Sequence, residues 1–101
     1  MKMMDNPIAG LNKLFESRIK LGIMSILLVN EWVEYNELKE YLEVTDGNLA
    51  SHLKALEAND FIQVKKQFAG RKPQTSYRCT REGERAFRKH LSALEKLIQR
   101  P

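Results

Sequence analysis

The sequence has little cysteine and no long apolar run, and both shortages limit what the protein can be. Cys79 is the one cysteine among the 101 residues, which excludes an internal disulfide and a cysteine-based zinc site. The most apolar run covers residues 21–29, whereas a helix that spans a bilayer needs roughly 20 apolar residues. The opening residues MKMMDNPIAG contain no apolar stretch of signal-peptide length. We therefore expect a cytoplasmic protein that does not enter a membrane.

Recognisable groupings of catalytic residues are also missing. No Ser/His/Asp, Cys/His or paired-carboxylate arrangement stands out, and the sequence has no glycine-rich phosphate loop. The two histidines, His52 and His90, are far apart in the sequence. Glu82 and Glu84 fit the first turn of a helix better than a catalytic pair. The sequence therefore predicts a protein that is not an enzyme, with no metal site and no cofactor.

Positive charge is concentrated in the second half of the chain. Residues 1–50 carry 5 basic and 8 acidic side chains, a net charge of −3, while residues 51–101 carry 12 basic and 5 acidic side chains, a net charge of +7. A solubilising surface is enough to explain the total of +4. The uneven distribution of this charge is typical of a protein with a polyanionic partner.

Hydrophobic periodicity and capping residues predict an α+β fold that is mainly helical. The expected elements, in order, are a helix at 11–30, a short strand at 32–35, helices at 37–43 and 45–59, strands at 61–68 and 75–79 around a turn at 69–73, and a helix at 81–100. Asn36, Thr45 and Thr80 are the expected N-caps. Two closely joined helices followed by a hairpin have the order of a winged helix-turn-helix. Because about 100 residues form one domain, we expect this domain to span residues 1–101.

The outer face of the third helix has the character of a DNA-reading surface. Leu49, Leu53 and Leu56 form its apolar stripe, and the opposite face carries small and polar residues that suit close approach to base edges in a major groove. The expected DNA contacts of this helix are Thr45, Asp46, Gly47, Asn48, Ser51, His52 and Lys54. The alternative is an ordinary solvated helix face, and a histidine beside the leucines, such as His52, is more often a packing residue than a base reader.

The predicted hairpin, or wing, carries the densest positive charge in the chain. Residues 61–78 contain five basic residues and no acidic one. Arg71 and Lys72 lie in the turn, which suits contact with a phosphate backbone or a narrow minor groove. The expected DNA contacts of the wing are Lys65, Arg71, Lys72, Thr75 and Ser76. The alternative for the strand lysines, Lys65 and Lys66, is protection of an edge strand against aggregation.

Apolar residues near the two ends of the chain exceed what a small core needs. The apolar stripe of the last helix is about as long as the helix itself, and the first helix is apolar on more than one side. We expect a homodimer interface formed by Leu11, Leu14, Phe15, Leu91, Leu94, Leu97 and Ile98. The alternative is that both ends pack on each other within one chain.

Four stretches of the sequence carry a family resemblance, namely residues 18–28, 45–62, 68–77 and 80–87. Together they resemble the small winged-helix transcriptional regulators of the MarR/ArsR type found in bacteria and archaea. The resemblance implies a homodimer that binds a pseudo-palindromic operator. It also implies a recognition helix that starts within Asp46 to Lys54, a wing tip at Arg71 and Lys72, and dimer contacts from the first and last helices. Metal sensing is not carried over, because the chain lacks the clustered Cys, His and carboxylates of the metal-sensing members, and a small-molecule effector stays unknown.

The leading hypothesis is therefore sequence-specific binding of double-stranded DNA, with transcriptional regulation as its consequence. Affinity would come mainly from cations on phosphates, and specificity from Asn48, Ser51 and their neighbours. A dimer would bind half-sites about 34 Å apart. The alternative hypothesis is a winged helix used only for protein interaction, a type of domain that often lacks the basic wing.

Overall fold

The computed structural model describes residues 6–99, and its elements follow the predicted order. They are a 3-10 helix at Lys13–Glu16, α1 at Arg18–Leu28, β1 at Val33–Glu34, α2 at Tyr35–Leu42, α3 at Asp46–Ala58, β2 at Ile62–Ala69, β3 at Lys72–Cys79 and α4 at Arg81–Ile98. The strands form a three-stranded antiparallel sheet in the order β1-β3-β2. The predicted winged-helix fold, mainly helical and of the α+β class, is therefore confirmed. Arg100, the predicted end of the last helix, lies outside the described residues.

The single helix predicted at 11–30 is wrong, because Ser17 divides it. Ser17 has an extended backbone (φ −78°, ψ 125°), and its Oγ accepts the Lys20 N–H at 3.2 Å, so it caps α1. Asn12 caps the preceding 3-10 helix by accepting a backbone N–H at 2.9 Å. A serine hydroxyl stabilises the start of a helix better than its interior. The break also allows Phe15 to enter the core, where it is 1% exposed.

The start of α2 also differs from the prediction. α2 begins at Tyr35, and its cap is Glu34 instead of Asn36. Glu34 and Glu37 form a reciprocal capping box, in which the Glu37 carboxylate accepts the Glu34 N–H at 3.1 Å and the Glu34 carboxylate accepts the Glu37 N–H. The helix ends at Glu43, which has a left-handed backbone with φ 51°.

Thr45 and Thr80 cap α3 and α4 as predicted. The Thr45 Oγ1 accepts the Asn48 N–H at 3.3 Å, and the Thr80 Oγ1 accepts the Gly83 N–H at 2.9 Å. Caps of this kind contribute about 1 kcal/mol each. The Thr80 hydroxyl also donates to the Asp60 carbonyl at 2.7 Å, which joins the start of α4 to the segment that follows α3.

The hairpin is longer and its turn is tighter than predicted. β2 and β3 pair as far as Ala69 and Lys72, so the turn consists of Gly70 and Arg71. Gly70 has φ +68°, which matches glycine at the first central position of a type II′ turn. Phe68, near the end of β2, is 73% exposed, because this part of the strand extends beyond the helices.

The core lies between the helices and one face of the sheet. Leu49, Leu53 and Leu56 of α3 are each at most 3% exposed, which confirms the predicted stripe. Ile62 and Tyr77 face them from the sheet and belong to the same buried cluster. α3 is therefore held on the sheet by one apolar face, and its other face is left for a partner.

Close packing between α4 and the start of β2 depends on a glycine. The position that a Cβ atom would take at Gly83 lies 2.0 Å from the Phe61 carbonyl oxygen. The same oxygen accepts the Thr80 N–H at 3.0 Å, so the backbone there is fixed and cannot move aside as the end of a flexible side chain would.

We expect Gly83→Ala to destabilise the fold, because overpacking against a fixed group costs about 1–3 kcal/mol. Gly47→Ala on α3 is the matched control: among the described residues nothing lies within 4 Å of its Cβ position, and alanine is favoured over glycine within a helix by up to about 1 kcal/mol. Urea unfolding followed by circular dichroism measures both changes. A Gly83→Ala protein as stable as the parent would contradict the proposed close contact.

Candidate nucleic-acid interface

The outer face of α3 is exposed and carries no bulky apolar side chain within the described residues. Asn48, Ser51 and Lys54, which were predicted to contact DNA, are all exposed, and so are Gly47 and Ala50. Ala50 was not among the predicted DNA contacts. Its small side chain could have indicated that it belongs to this face. A partner that approaches α3 therefore meets small and polar groups.

Asp46 ties the first turn of α3 to α2, an arrangement we call the α2–α3 clamp. The Tyr35 hydroxyl lies 3.1 Å from both the Oδ1 and the backbone carbonyl oxygen of Asp46, and the Lys39 Nζ lies 3.0 Å from Oδ2. The hydrogen bonds from Lys39 and Tyr35 lower the pKa of the Asp46 carboxyl. Asp46 and Thr45 are both exposed, but their side chains also serve the clamp and the helix cap.

His52 faces α1 and not the outer surface of α3. Its Nδ1 lies 2.9 Å from the Lys20 Nζ and 3.5 Å from the Ser17 Oγ. Partial burial, together with the Lys20 charge, lowers the pKa of His52, which favours a neutral ring that accepts a hydrogen bond from Lys20. The packing alternative therefore fits His52 better than a base contact. The sequence did not signal Lys20, which lies 32 positions away.

The two basic residues at the wing tip are exposed. Arg71 lies in the turn of the hairpin, and Lys72 is the first residue of β3. Within residues 6–99, the recorded ion pairs belong to the α2–α3 clamp and to α4, so no carboxylate in that range pairs with the wing tip. Its positive charge is available to a partner.

Ser76, which was predicted as a DNA contact, is only 5% exposed, so its side chain is not accessible on the surface. In the sheet Ser76 lies between Lys65 of β2 and Glu34 of β1. Thr75, which points to the other face of the sheet, is half-buried and pairs with Lys66. The pairing of β1 with β3 therefore removes one predicted hydroxyl from the surface.

Lys65 and Arg78 pack on the ring of Trp32. The Lys65 Nζ lies 4.3 Å and the Arg78 Cζ 4.8 Å from the ring centroid, which is a cation–π arrangement. Side chains alternate between the faces of a strand, so Lys65 lies on the opposite face from the buried Ile62, whereas Lys66 lies on the same face. The structure thus brings Lys66, and not Lys65, to the side of the sheet on which α3 packs.

The two ends of the described chain lie against each other. The Asn12 N–H donates to the His90 Nδ1 at 2.9 Å, and His90 is 3% exposed. The His90 and Phe87 rings lie 5.5 and 5.2 Å, respectively, from the ring of Phe15. Phe15, which was predicted as a dimer contact, therefore belongs to the core of its own chain.

The other residues of the predicted dimer interface are accessible to different degrees. Leu91 is 38% exposed and Ile98 is 84% exposed, and the half-buried members are Leu11, Leu14, Leu94 and Leu97. Packing within one chain thus accounts for the N-terminal segment in part. Among residues 6–99, the apolar strip of α4 that includes Leu91 and Ile98 stays exposed to solvent.

Two further features concern membranes and metals. In the part of the chain that the structure describes, no helix is long and apolar enough to cross a bilayer. In the same part, no three His, Cys, Asp or Glu side chains converge as metal ligands would.

The Cys79 thiol donates to the Thr80 carbonyl at 3.2 Å. Burial raises the pKa of the Cys79 thiol, which disfavours a reactive thiolate.

Comparison with known proteins gives concordant matches. A family model described as a winged helix DNA-binding domain matches residues 19–98. An uncharacterized protein of Methanocaldococcus jannaschii is 38% identical over 79 residues, which cover 78% of this chain and 86% of that protein. The solved structure of a transcriptional regulator homologue from Pyrococcus horikoshii has 32% identity and a TM-score of 0.79, and 84% of each chain is covered. A protein of Porphyromonas gingivalis described as a MarR-family transcriptional regulator has a TM-score of 0.71 at 20% identity over 100% of both chains, and it is similar in fold.

We expect Asp46→Asn to weaken the α2–α3 clamp in a pH-dependent way. Because the pKa of this carboxyl is lowered in the folded state, its contribution to stability is present above the ordinary pKa of about 4. That contribution is lost as the pH falls through the lowered value. Urea unfolding should show a loss of stability on substitution near neutral pH and a smaller loss at strongly acidic pH.

Glu40→Gln is the control for this prediction, because it removes an exposed carboxylate from α2, the helix to which Asp46 is joined. It should change stability little at either pH. If both substitutions had the same effect, or if the effect of Asp46→Asn did not depend on pH, the clamp would not be a stabilising interaction.

Proposed function

Because this chain belongs to the winged helix DNA-binding domain family, we propose that it is a sequence-specific regulator of transcription that binds double-stranded DNA. The observation that carries the proposal is the presence, in one fold, of a small and polar outer face on α3 and a basic wing tip that pairs with no carboxylate of residues 6–99. Both features suit DNA, since a major groove admits a helix with such a face and phosphates attract the cations. A regulator of this kind would act in the cytoplasm of a bacterium or archaeon.

In the proposed complex, α3 enters the major groove with its outer face towards the bases. Gly47 and Ala50 permit close approach, and Asn48 and Ser51 hydrogen-bond base edges. Asparagine pairs well with adenine, and a good bidentate contact of this kind contributes about 1–3 kcal/mol of discrimination. Lys54 contacts a phosphate or a guanine, and the α2–α3 clamp keeps the angle of the helix fixed.

The wing contributes most of the sequence-independent affinity in this proposal. Arg71 and Lys72 lie along the phosphate backbone or in the adjacent minor groove. Lys66 and Thr75 support them from the side of the sheet on which α3 packs. Each neutralised phosphate releases counterions, so the affinity should fall steeply with salt.

We further propose that two copies associate through α4 and the N-terminal segment. The exposed apolar strip on α4 supports this, as does the shape of the chain, which measures 67 × 25 × 21 Å. Its radius of gyration is 16.0 Å, whereas a compact domain of this length has about 13 Å. A second copy would cover α4 and would bring two α3 helices to half-sites about 34 Å apart.

Selection of bound duplexes from a random pool tests the function directly. We expect an enriched motif made of two related half-sites, separated by one or two turns of DNA. A motif with one half-site would count against the dimer. No enrichment at low salt would overturn DNA binding and favour a winged helix that serves protein interaction.

The double substitution Arg71→Ala/Lys72→Ala should weaken binding to selected and unrelated duplexes alike. Removal of two phosphate contacts should make the slope of log affinity against log salt shallower by up to about 2. Arg85→Ala/Lys89→Ala, which removes two exposed cations of α4, is the control of equal charge and should leave the slope nearly unchanged. Equal slopes for the two variants, measured by fluorescence anisotropy, would contradict the role of the wing tip.

A further inference from the structure

A groove lies between the end of α1, the start of β1 and α2, and we call it the α1–α2 groove. Its volume is about 470 Å³, within the range of roughly 300–1,000 Å³ that is usual for small-molecule sites. Ile26, Val29, Trp32 and Tyr41 form much of its apolar wall. None of the residues that line it belongs to the proposed DNA contacts.

Two large side chains on the wall of this groove are left in water. Val29 is 79% exposed and Tyr41 is 70% exposed. A single exposed apolar residue is ordinary, but these two border the same concave surface. A ligand with an apolar body would remove both from water and gain the corresponding hydrophobic free energy.

The groove offers several hydrogen-bond acceptors, and two donors of its lining are already used. The Ser25 Oγ donates to the Gly22 carbonyl at 2.8 Å, and the Asn30 Nδ2 donates to the Ile26 carbonyl at 2.8 Å. Glu37 uses Oε1 to accept the Glu34 N–H. The Asn30 Oδ1, the Glu37 Oε2 and the lone pairs of Ser25 can accept hydrogen bonds from a ligand, while the Trp32 N–H and the Tyr41 hydroxyl can donate. The charged group in this lining is the Glu37 carboxylate, which favours a ligand with a cationic donor.

The charge around the groove is negative, although the chain as a whole is positive. Residues 31–43 contain five glutamates and one lysine, a net charge of −4 in a chain of +4. The lysine is Lys39, which is paired with a carboxylate of α3. Glu37 lines the groove, whereas Lys65 and Arg78, which pack on the ring of Trp32, are not part of its lining.

We propose that the α1–α2 groove binds a small organic cation with an apolar, aromatic body. The body packs against Val29 and the ring of Tyr41, and the ammonium group lies beside Glu37 and donates to the acceptors of Asn30 and Ser25. Aromatic rings attract cations through their faces, which adds to the attraction of the carboxylate. The site stands apart from the proposed DNA interface, and its test requires no DNA.

Fluorescence of the protein reports directly on this groove, because Trp32 is the only tryptophan of the chain. The probes are phenethylammonium, phenethyl alcohol and phenylacetate, which share a ring and differ in charge. We expect a saturable change in Trp32 emission with the ammonium compound. The neutral alcohol should bind about tenfold more weakly, because it lacks the charge-assisted hydrogen bond to the Glu37 carboxylate. The anion should not bind.

Glu37→Gln is the decisive variant, because it removes the charge and keeps an oxygen that accepts the Glu34 N–H. It should weaken phenethylammonium by about tenfold and leave the affinity for phenethyl alcohol unchanged. Glu40→Gln removes a carboxylate of the same helix that does not line the groove, and it is the matched control. Circular dichroism verifies that both variants fold.

Three results would overturn the proposal. The first is the absence of a saturable response to the ammonium compound. The second is equal affinity for the cation and the neutral alcohol, which would make the groove an apolar docking surface. The third is equal weakening by Glu37→Gln and Glu40→Gln, which would indicate long-range attraction without a site. Failure to select a DNA motif would leave all three measurements intact, so the two proposals fail independently.

Discussion

Burial of one face of α3 is the constraint on which the proposed interface depends. Leu49, Leu53 and Leu56 are almost fully buried, so the rotation of the helix about its axis is fixed and its small, polar residues must face outwards. Two polar contacts then position the helix along its length: Asp46 joins its first turn to α2, and His52 joins its middle to α1. The outer face is therefore rigid before any partner arrives, which reduces the entropy cost of binding.

Local signals were enough to predict most of the fold and the outer face of α3. Thr45 and Thr80 act within one turn of their own helices, and the leucine stripe is a property of one helix. The errors arose where a decision depended on distant chain. The hydrophobic periodicity continues across Ser17, so the sequence does not indicate that the helix breaks there. The break is explained by the packing of Phe15 in the core. Ser76 was predicted as a DNA contact because the sequence indicated the short strand at 32–35 but not its pairing with β3, which buries this serine.

The opposite charges of the chain have separate locations in the fold. The basic hairpin carries its cations at the tip and along both faces, whereas the glutamates of residues 31–43 surround α2 and the link before it. This separation directs a polyanion to the wing and away from the outer end of α2. It also leaves a negative segment beside the α1–α2 groove, so the two proposed ligands, of opposite charge, would bind to separate regions of the protein.

The pairing of β1 with β3 has a consequence for how the molecule folds and opens. Val33 and Glu34 pair with Tyr77 and Ser76, so a strand of two residues depends on a partner far away in the sequence. Such a strand has no stability alone. The entropy cost of closing the long intervening loop is offset only when the hairpin docks on the helices. Hydrogen exchange at these paired amides therefore reports on the docking of the hairpin against the helices, whereas exchange at the wing tip reports on the hairpin alone. The β1–β3 pairing thus joins the helix-turn-helix to the wing, and it fixes the outer face of α3 relative to the wing tip.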